Sequence, residues 1–102
     1  MKAVINGKLY NTETAKYIGS FTSGLLHDFE AYEESLYRTR KGEFFIAGSG
    51  GPMSKYGRSV GRNEIAGGSE ITPLTEREAQ KWAEEYLSAE EYIEAFGMPE
   101  EA

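Results

Sequence analysis

The 102-residue chain has no cysteine, a single histidine, a single tryptophan and three prolines, and each shortage closes a class of explanation. Without cysteine there is neither a structural disulfide nor a thiolate zinc site, and the chain suits a reducing compartment. His27, the sole imidazole, is followed by Asp28. That pair could begin a nucleophilic triad, but no Gly-x-Ser-x-Gly turn presents a nucleophile to it. One imidazole without thiolates also leaves too few ligands for a transition-metal centre, and the carboxylates do not follow EF-hand spacing. No cofactor or metal is expected. Long apolar runs are absent too. No window approaches the roughly 20 apolar residues of a membrane-spanning helix. The opening Met1-Lys2-Ala3-Val4-Ile5-Asn6 lacks the apolar stretch of a secretory signal, so a cytoplasmic address is expected, with no membrane partner.

What is present suffices for one core. Hydrophobic residues make up 39% of the chain, among them 7 Tyr and 5 Phe, and the length is that of one domain, 1–102. Net charge is −6, but its distribution says more than its sum. Between residues 36 and 62, Arg38, Arg40, Lys41, Lys55, Arg58 and Arg62 face one acid, Glu43, a net of +5. From Thr75 onward, nine glutamates face only Arg77 and Lys81, a net of −7.

The strongest local turn signal is Asn6-Gly7 between Ala3-Val4-Ile5 and Lys8-Leu9-Tyr10, since Asn-Gly readily adopts the two positive φ angles of a tight hairpin. After the capping-type residues Asn11 to Thr14, the positions of Ala15, Ile18 and Phe21 suggest one side of a short helix, with a loop or helical turn from Ser23 to Glu30. Tyr32–Arg38 and Glu43–Ala47 read as paired strands joined by Thr39-Arg40-Lys41-Gly42. Alternation sets Leu36, Arg38, Phe44 and Ile46 against Tyr37 and Phe45 without saying which set is buried. Gly48 to Gly68 is so rich in glycine that little regular structure is expected, and Ser69–Thr72 suggests a last strand ended by Pro73.

Two helices close the chain. Thr75-Glu76-Arg77-Glu78 and Ser88-Ala89-Glu90-Glu91 are capping boxes. Ala79, Trp82, Ala83, Tyr86 and Leu87 form one apolar stripe, and Gly97 precedes Pro99 as a stop. The fold class is α+β: a small antiparallel sheet of two hairpins and a possible extra strand, covered by the C-terminal helices.

Gly48-Ser49-Gly50-Gly51-Pro52-Met53-Ser54-Lys55 invites comparison with a phosphate loop but lacks the Gly-Lys-Ser/Thr ending and following helix. A softer reading remains. Lys55, Tyr56, Arg58 and Arg62 of this loop, with Tyr37, Arg38, Arg40, Lys41 and Phe45 of the hairpin, offer guanidinium groups for phosphates and rings for stacking. That describes a recognition surface for RNA or for a protein that handles RNA. The residues alone also allow a small ribonuclease-like enzyme using Glu43 among basic groups, or a regulatory binding module.

The stretch Ile5-Asn6-Gly7-Lys8-Leu9-Tyr10-Asn11-Thr12-Glu13-Thr14-Ala15, the pair Leu36-Tyr37-Arg38-Thr39 and Lys41-Gly42-Glu43-Phe44-Phe45, the block Gly48 to Tyr56 and the block Ile71 to Ala79 together resemble small proteins of Firmicutes mobile elements. Some members of that group are type II-A anti-CRISPR proteins, inhibitors of Cas9. The resemblance spans nearly the whole chain. It implies a protein that meets Cas9 or its guide RNA and hinders guide loading or, in larger relatives, provokes loss of guide integrity. Either the basic hairpin touches the RNA or the acidic helix pair occupies an arginine-rich groove of Cas9 as a nucleic-acid mimic. No small-molecule substrate is expected.

Overall fold

The computed structural model describes residues 1–25 and 28–102; His27 lies outside them. Asn6 and Gly7 take positive φ, 52° and 76°, and fold β1 (Lys2–Ile5) onto β2 (Lys8–Asn11) as the Asn-Gly dipeptide predicts. The chain then builds a four-stranded antiparallel sheet, ordered β3-β4-β5-β8, from β3 (Lys16–Ser23), β4 (Tyr32–Arg38), β5 (Phe44–Gly50) and β8 (Gly68–Leu74). A further hairpin, β6 (Arg58–Gly61) with β7 (Glu64–Ala66), precedes β8. Helices α1 (Glu76–Tyr86) and α2 (Ala89–Phe96) follow. The fold is α+β.

Two expectations are corrected. The first is the short helix through Ala15, Ile18 and Phe21: Ala15 ends the turn that follows β2, and Ile18 and Phe21 belong to strand β3, paired with β4 from Lys16↔Arg38 to Ser23↔Tyr32. A β-bulge between Tyr17 and Gly19 explains the misleading spacing. The extra residue, Ile18, turns to the same face as Gly19 and Phe21, so a strand acquires an i, i+3 apolar pair. The second is the glycine-rich stretch, which is more regular than its composition suggests. β5 continues to Gly50, β6 and β7 form a hairpin with Asn63 at φ 61° in its turn, and β8 runs through Pro73 to Leu74. A proline is tolerated there because β8 is an edge strand.

The β4–β5 hairpin, Arg38↔Phe44 at its turn and Tyr32↔Gly50 at its far end, buries both of its faces. Leu36, Phe44 and Ile46 pack under the helices with Ala79, Ile18, Leu74, Trp82 and Phe96. On the opposite face Phe45 joins Tyr10 and Ile71, beneath Ala3 and Ile5 of the first hairpin. The alternation left the buried parity open because both parities are buried, each by a different neighbour. Both capping boxes are formed: Thr75 Oγ1 accepts from Glu78 N–H and Ser88 Oγ from Glu91 N–H, each at 3.1 Å, and Gly97 ends α2 at φ 93°. Among the described residues no helix is long and apolar enough to cross a membrane.

The helices leave the Gly50 end of their sheet face uncovered, and the loop Gly51–Gly57 fills it. Tyr56, buried, lies directly over Gly48, where a Cβ would fall inside its ring. Glycine at 48 is therefore a packing requirement.

Candidate functional site

β4 spans seven residues, so its two ends stand about 20 Å apart at roughly 3.4 Å per residue. The residues singled out from the sequence divide between them. Arg38, Arg40 and Lys41 lie at the turn end. Lys55 and Tyr56 belong to the loop at the glycine end, where the β6–β7 hairpin carrying Arg58 and Arg62 also has its base. They do not form one exposed patch.

The rings are the clearest correction. Phe45 has no solvent exposure, and Tyr37 stacks on it at 5.3 Å while its own edge meets Tyr17. Burial also pushes the Tyr37 hydroxyl's pKa up. Tyr56 is 7% exposed and donates to Glu34 Oε2 at 2.5 Å. Phe45 and Tyr56 offer no free face for stacking, and Tyr37 is half-buried with one face on Phe45. Of the cations at the glycine end, Lys55 pairs with Glu34 at 2.7 Å and Arg58 donates to the Ser69 carbonyl at 2.6 Å. Arg62 is exposed in the β6–β7 turn.

The turn end is different. Thr39 and Glu43 close the β4–β5 connection: Thr39 N–H donates to Glu43 O at 2.7 Å, Gly42 N–H to Thr39 O at 2.9 Å, and Glu43 N–H to Thr39 Oγ1 at 3.0 Å. Gly42 takes φ 91°, the left-handed conformation that favours glycine. This rigid turn projects Arg40 and Lys41, both exposed, beside Arg38, whose guanidinium lies 5.5 Å from the Phe44 ring centroid. Two cations not singled out from the sequence complete the group. Lys16 sits opposite Arg38 in the β3–β4 register, and Lys8 arrives from the first hairpin. No local sequence signal marks them, because strand pairing alone brings them there.

Two adjoining clefts open at this end. One, about 530 Å³, is lined by Thr14, Lys16 and Arg38 to Gly42; the other, about 610 Å³, by Lys8, Leu9, Thr14, Thr39, Arg40, Lys41 and Glu43. They share Arg40 and Lys41. Lys8 is committed to Glu43 at 2.5 Å, and that hydrogen bond raises the pKa of its ammonium. Lys16, Arg38, Arg40 and Lys41 have no ion-pair partner among the described residues. The border is acidic on the helix side. Glu76 and Glu78 line a neighbouring cleft with Glu43, and Glu91 and Glu94 lie near Lys16. Glu78 is itself occupied by the Thr75 N–H of the capping box, which lowers its pKa.

Unpaired cationic groups around open clefts are chemically suited to anions. Four cationic side chains from three consecutive pieces of structure face open clefts, while the one carboxylate among them is already paired. Among the described residues no three His, Asp or Glu side chains converge as metal ligands. No protein-family model matches this chain, and no curated protein or solved structure matches it.

Proposed function

We propose that the protein is a binding inhibitor of the type II-A anti-CRISPR kind that its sequence resembles, acting on the assembly of Cas9 with its guide RNA. The contact is made through the basic turn end. One observation carries this reading: Lys16, Arg38, Arg40 and Lys41 converge around two open clefts although Lys16 lies far from the others in sequence. Guanidinium and ammonium groups so placed suit the phosphates of an RNA backbone. If all four neutralise phosphates, the logarithm of affinity falls with the logarithm of salt at a slope of about −3 for single-stranded RNA. We leave the glycine-rich loop out of this contact, since Lys55 is paired with Glu34 and Tyr56 is buried against the same carboxylate.

The test mixes Cas9, guide RNA and the protein in different orders and resolves the products by size. Inhibition only when the protein is present before guide RNA supports action at assembly. Charge reversal at Arg38, Arg40 and Lys41 together abolishes inhibition with the fold intact, and Lys16→Glu alone weakens it. Unchanged inhibition in the triple variant would sink the proposal. The same mixtures report RNA integrity, and guide cleaved only in the protein's presence would replace this reading with an enzymatic one.

A further inference from the structure

Glu34 is the only charged residue among the described ones that is buried, at 4% exposure. It stands on β4, facing the helices. Its Oε2 accepts the Tyr56 hydroxyl at 2.5 Å and contacts the Lys55 ammonium at 2.7 Å, while Oε1 accepts Trp82 Nε1–H at 2.9 Å. Rings surround this group. Phe21 stacks on Tyr86 at 4.1 Å, Trp82 lies 5.3 Å from Tyr86, and Tyr32 lies 6.2 Å from both Phe21 and Tyr56. The Lys55 ammonium is 5.3 Å from the Tyr32 centroid and 5.7 Å from that of Tyr56. A carboxylate at the base with ring faces around it is an arrangement that selects an ammonium group.

Three features separate this site from an ordinary buried ion pair. The partners are unequal: the Glu34 side chain is 6% exposed and that of Lys55 is 55% exposed. The anion is built into the sheet, and the cation reaches it from solvent on a flexible stem. The walls, moreover, are held without Lys55. Ser54 Oγ accepts the Tyr56 N–H, Gly51 N–H donates to Ala31 O at 2.9 Å, and Met53 N–H donates to Phe29 O at 2.8 Å. Finally, a second acid stands close by: Glu70 is paired with Gly48 in the β5–β8 register, and the Tyr56 ring lies over Gly48, which adds to the attraction for a cation.

We propose that Glu34, Tyr32 and Tyr56 form a receptor site for a primary alkylammonium group, filled at rest by the chain's own Lys55 and taken over by a lysine side chain of a partner protein. A tethered lysine has an effective concentration of roughly millimolar order, so a dilute free amine competes poorly with it. A lysine carried by a protein already docked on this face competes on comparable terms. Primary rather than quaternary ammonium fits because the 2.7 Å contact to Oε2 requires an N–H donor.

The experiment empties the site. Lys55→Ala removes the occupant, and Lys55→Met keeps the stem while dropping the charge, so either variant serves if the other fails to fold. Each is titrated with methylammonium chloride at constant ionic strength, following the fluorescence of Trp82 and the melting temperature. Both variants are expected to give a saturable signal that wild type lacks over the same range, and Glu34→Gln added to either abolishes it. Tetramethylammonium binds at least tenfold more weakly. The capped tripeptide acetyl-Gly-Lys-Gly-amide binds as methylammonium does, while its Nε-acetylated form does not. An equal response in wild type, a non-saturating one in the variants, a response that survives loss of Glu34, or equal affinity for tetramethylammonium would each overturn the proposal.

Discussion

Adding one methyl group at Gly48 tests how the glycine-rich loop is held to the sheet. The Cβ of Gly48→Ala would fall within the ring of Tyr56, touching Oη, Cζ and Cε1. A buried ring cannot yield as a surface side chain does, so either Tyr56 leaves its place or β5 shifts. Overpacking of this sort costs about 1–3 kcal/mol. Displacing the Tyr56 hydroxyl also breaks its bond to the Glu34 carboxylate, about 1.5–3 kcal/mol for a hydrogen bond to a charged group. The sum, about 2.5–6 kcal/mol, is a large share of the roughly 5–15 kcal/mol that holds a domain folded. At about 4–8 °C per kcal/mol, the melting temperature should fall by at least 10 °C. A double-mutant cycle supplies the decisive assay. In a Tyr56→Ala background the space above residue 48 is open, so Gly48→Ala should there cost under about 0.5 kcal/mol, leaving a coupling of at least about 2 kcal/mol by denaturant unfolding. Additive effects of the two substitutions would refute the claim that Gly48 is glycine because Tyr56 lies on it.

Other consequences follow from the same contacts. Burial pushes the Glu34 carboxyl upward, but hydrogen bonds from Lys55, Trp82 and Tyr56 outweigh it and hold the pKa below the ordinary range. The unfolded chain protonates this group near about pH 4.3, so its stabilisation is complete above that value and is lost as pH falls toward the lower folded value. Urea unfolding between pH 6 and pH 2 should therefore show a steeper acid loss in wild type than in Glu34→Gln, and parallel curves would contradict this. Trp82→Ala removes a half-buried ring and a donor to Glu34 together, with an expected loss of about 3–5 kcal/mol; Trp82→Phe, which retains most of the packing, should lose less than half as much. Thr75→Ala deletes the first helix cap and should cost about 1 kcal/mol, read as a small fall in the denaturation midpoint with unchanged slope.

Features governed by neighbours a few positions apart were legible in the chain. Asn6-Gly7 specifies its turn through its own φ preferences, and both capping boxes close within three residues. The pairing of Tyr32–Arg38 with the following strand and the concentration of positive charge before Thr75 also needed nothing distant. The same local reasoning failed at β3, where the bulge at Tyr17/Gly19 gives a strand the i, i+3 apolar spacing of a helix turn. It also failed at Phe45 and Tyr56, which the recognition-surface reading offered as stacking rings and which the fold buries.

What the sequence by itself determined is the Asn6-Gly7 turn, the two helix caps, the α+β class, and where along the chain each charge falls. Tertiary structure alone decided which of those charges meet. Strand pairing carries Lys16 to Arg38, and the Tyr56 and Trp82 donors reach Glu34 across separations of 22 and 48 residues. The reason is physical: a turn or a cap is settled by dihedral preference and hydrogen bonds within one turn of chain. A buried carboxylate's donors and a cluster of cations exist only after distant strands have paired and the helices have covered them.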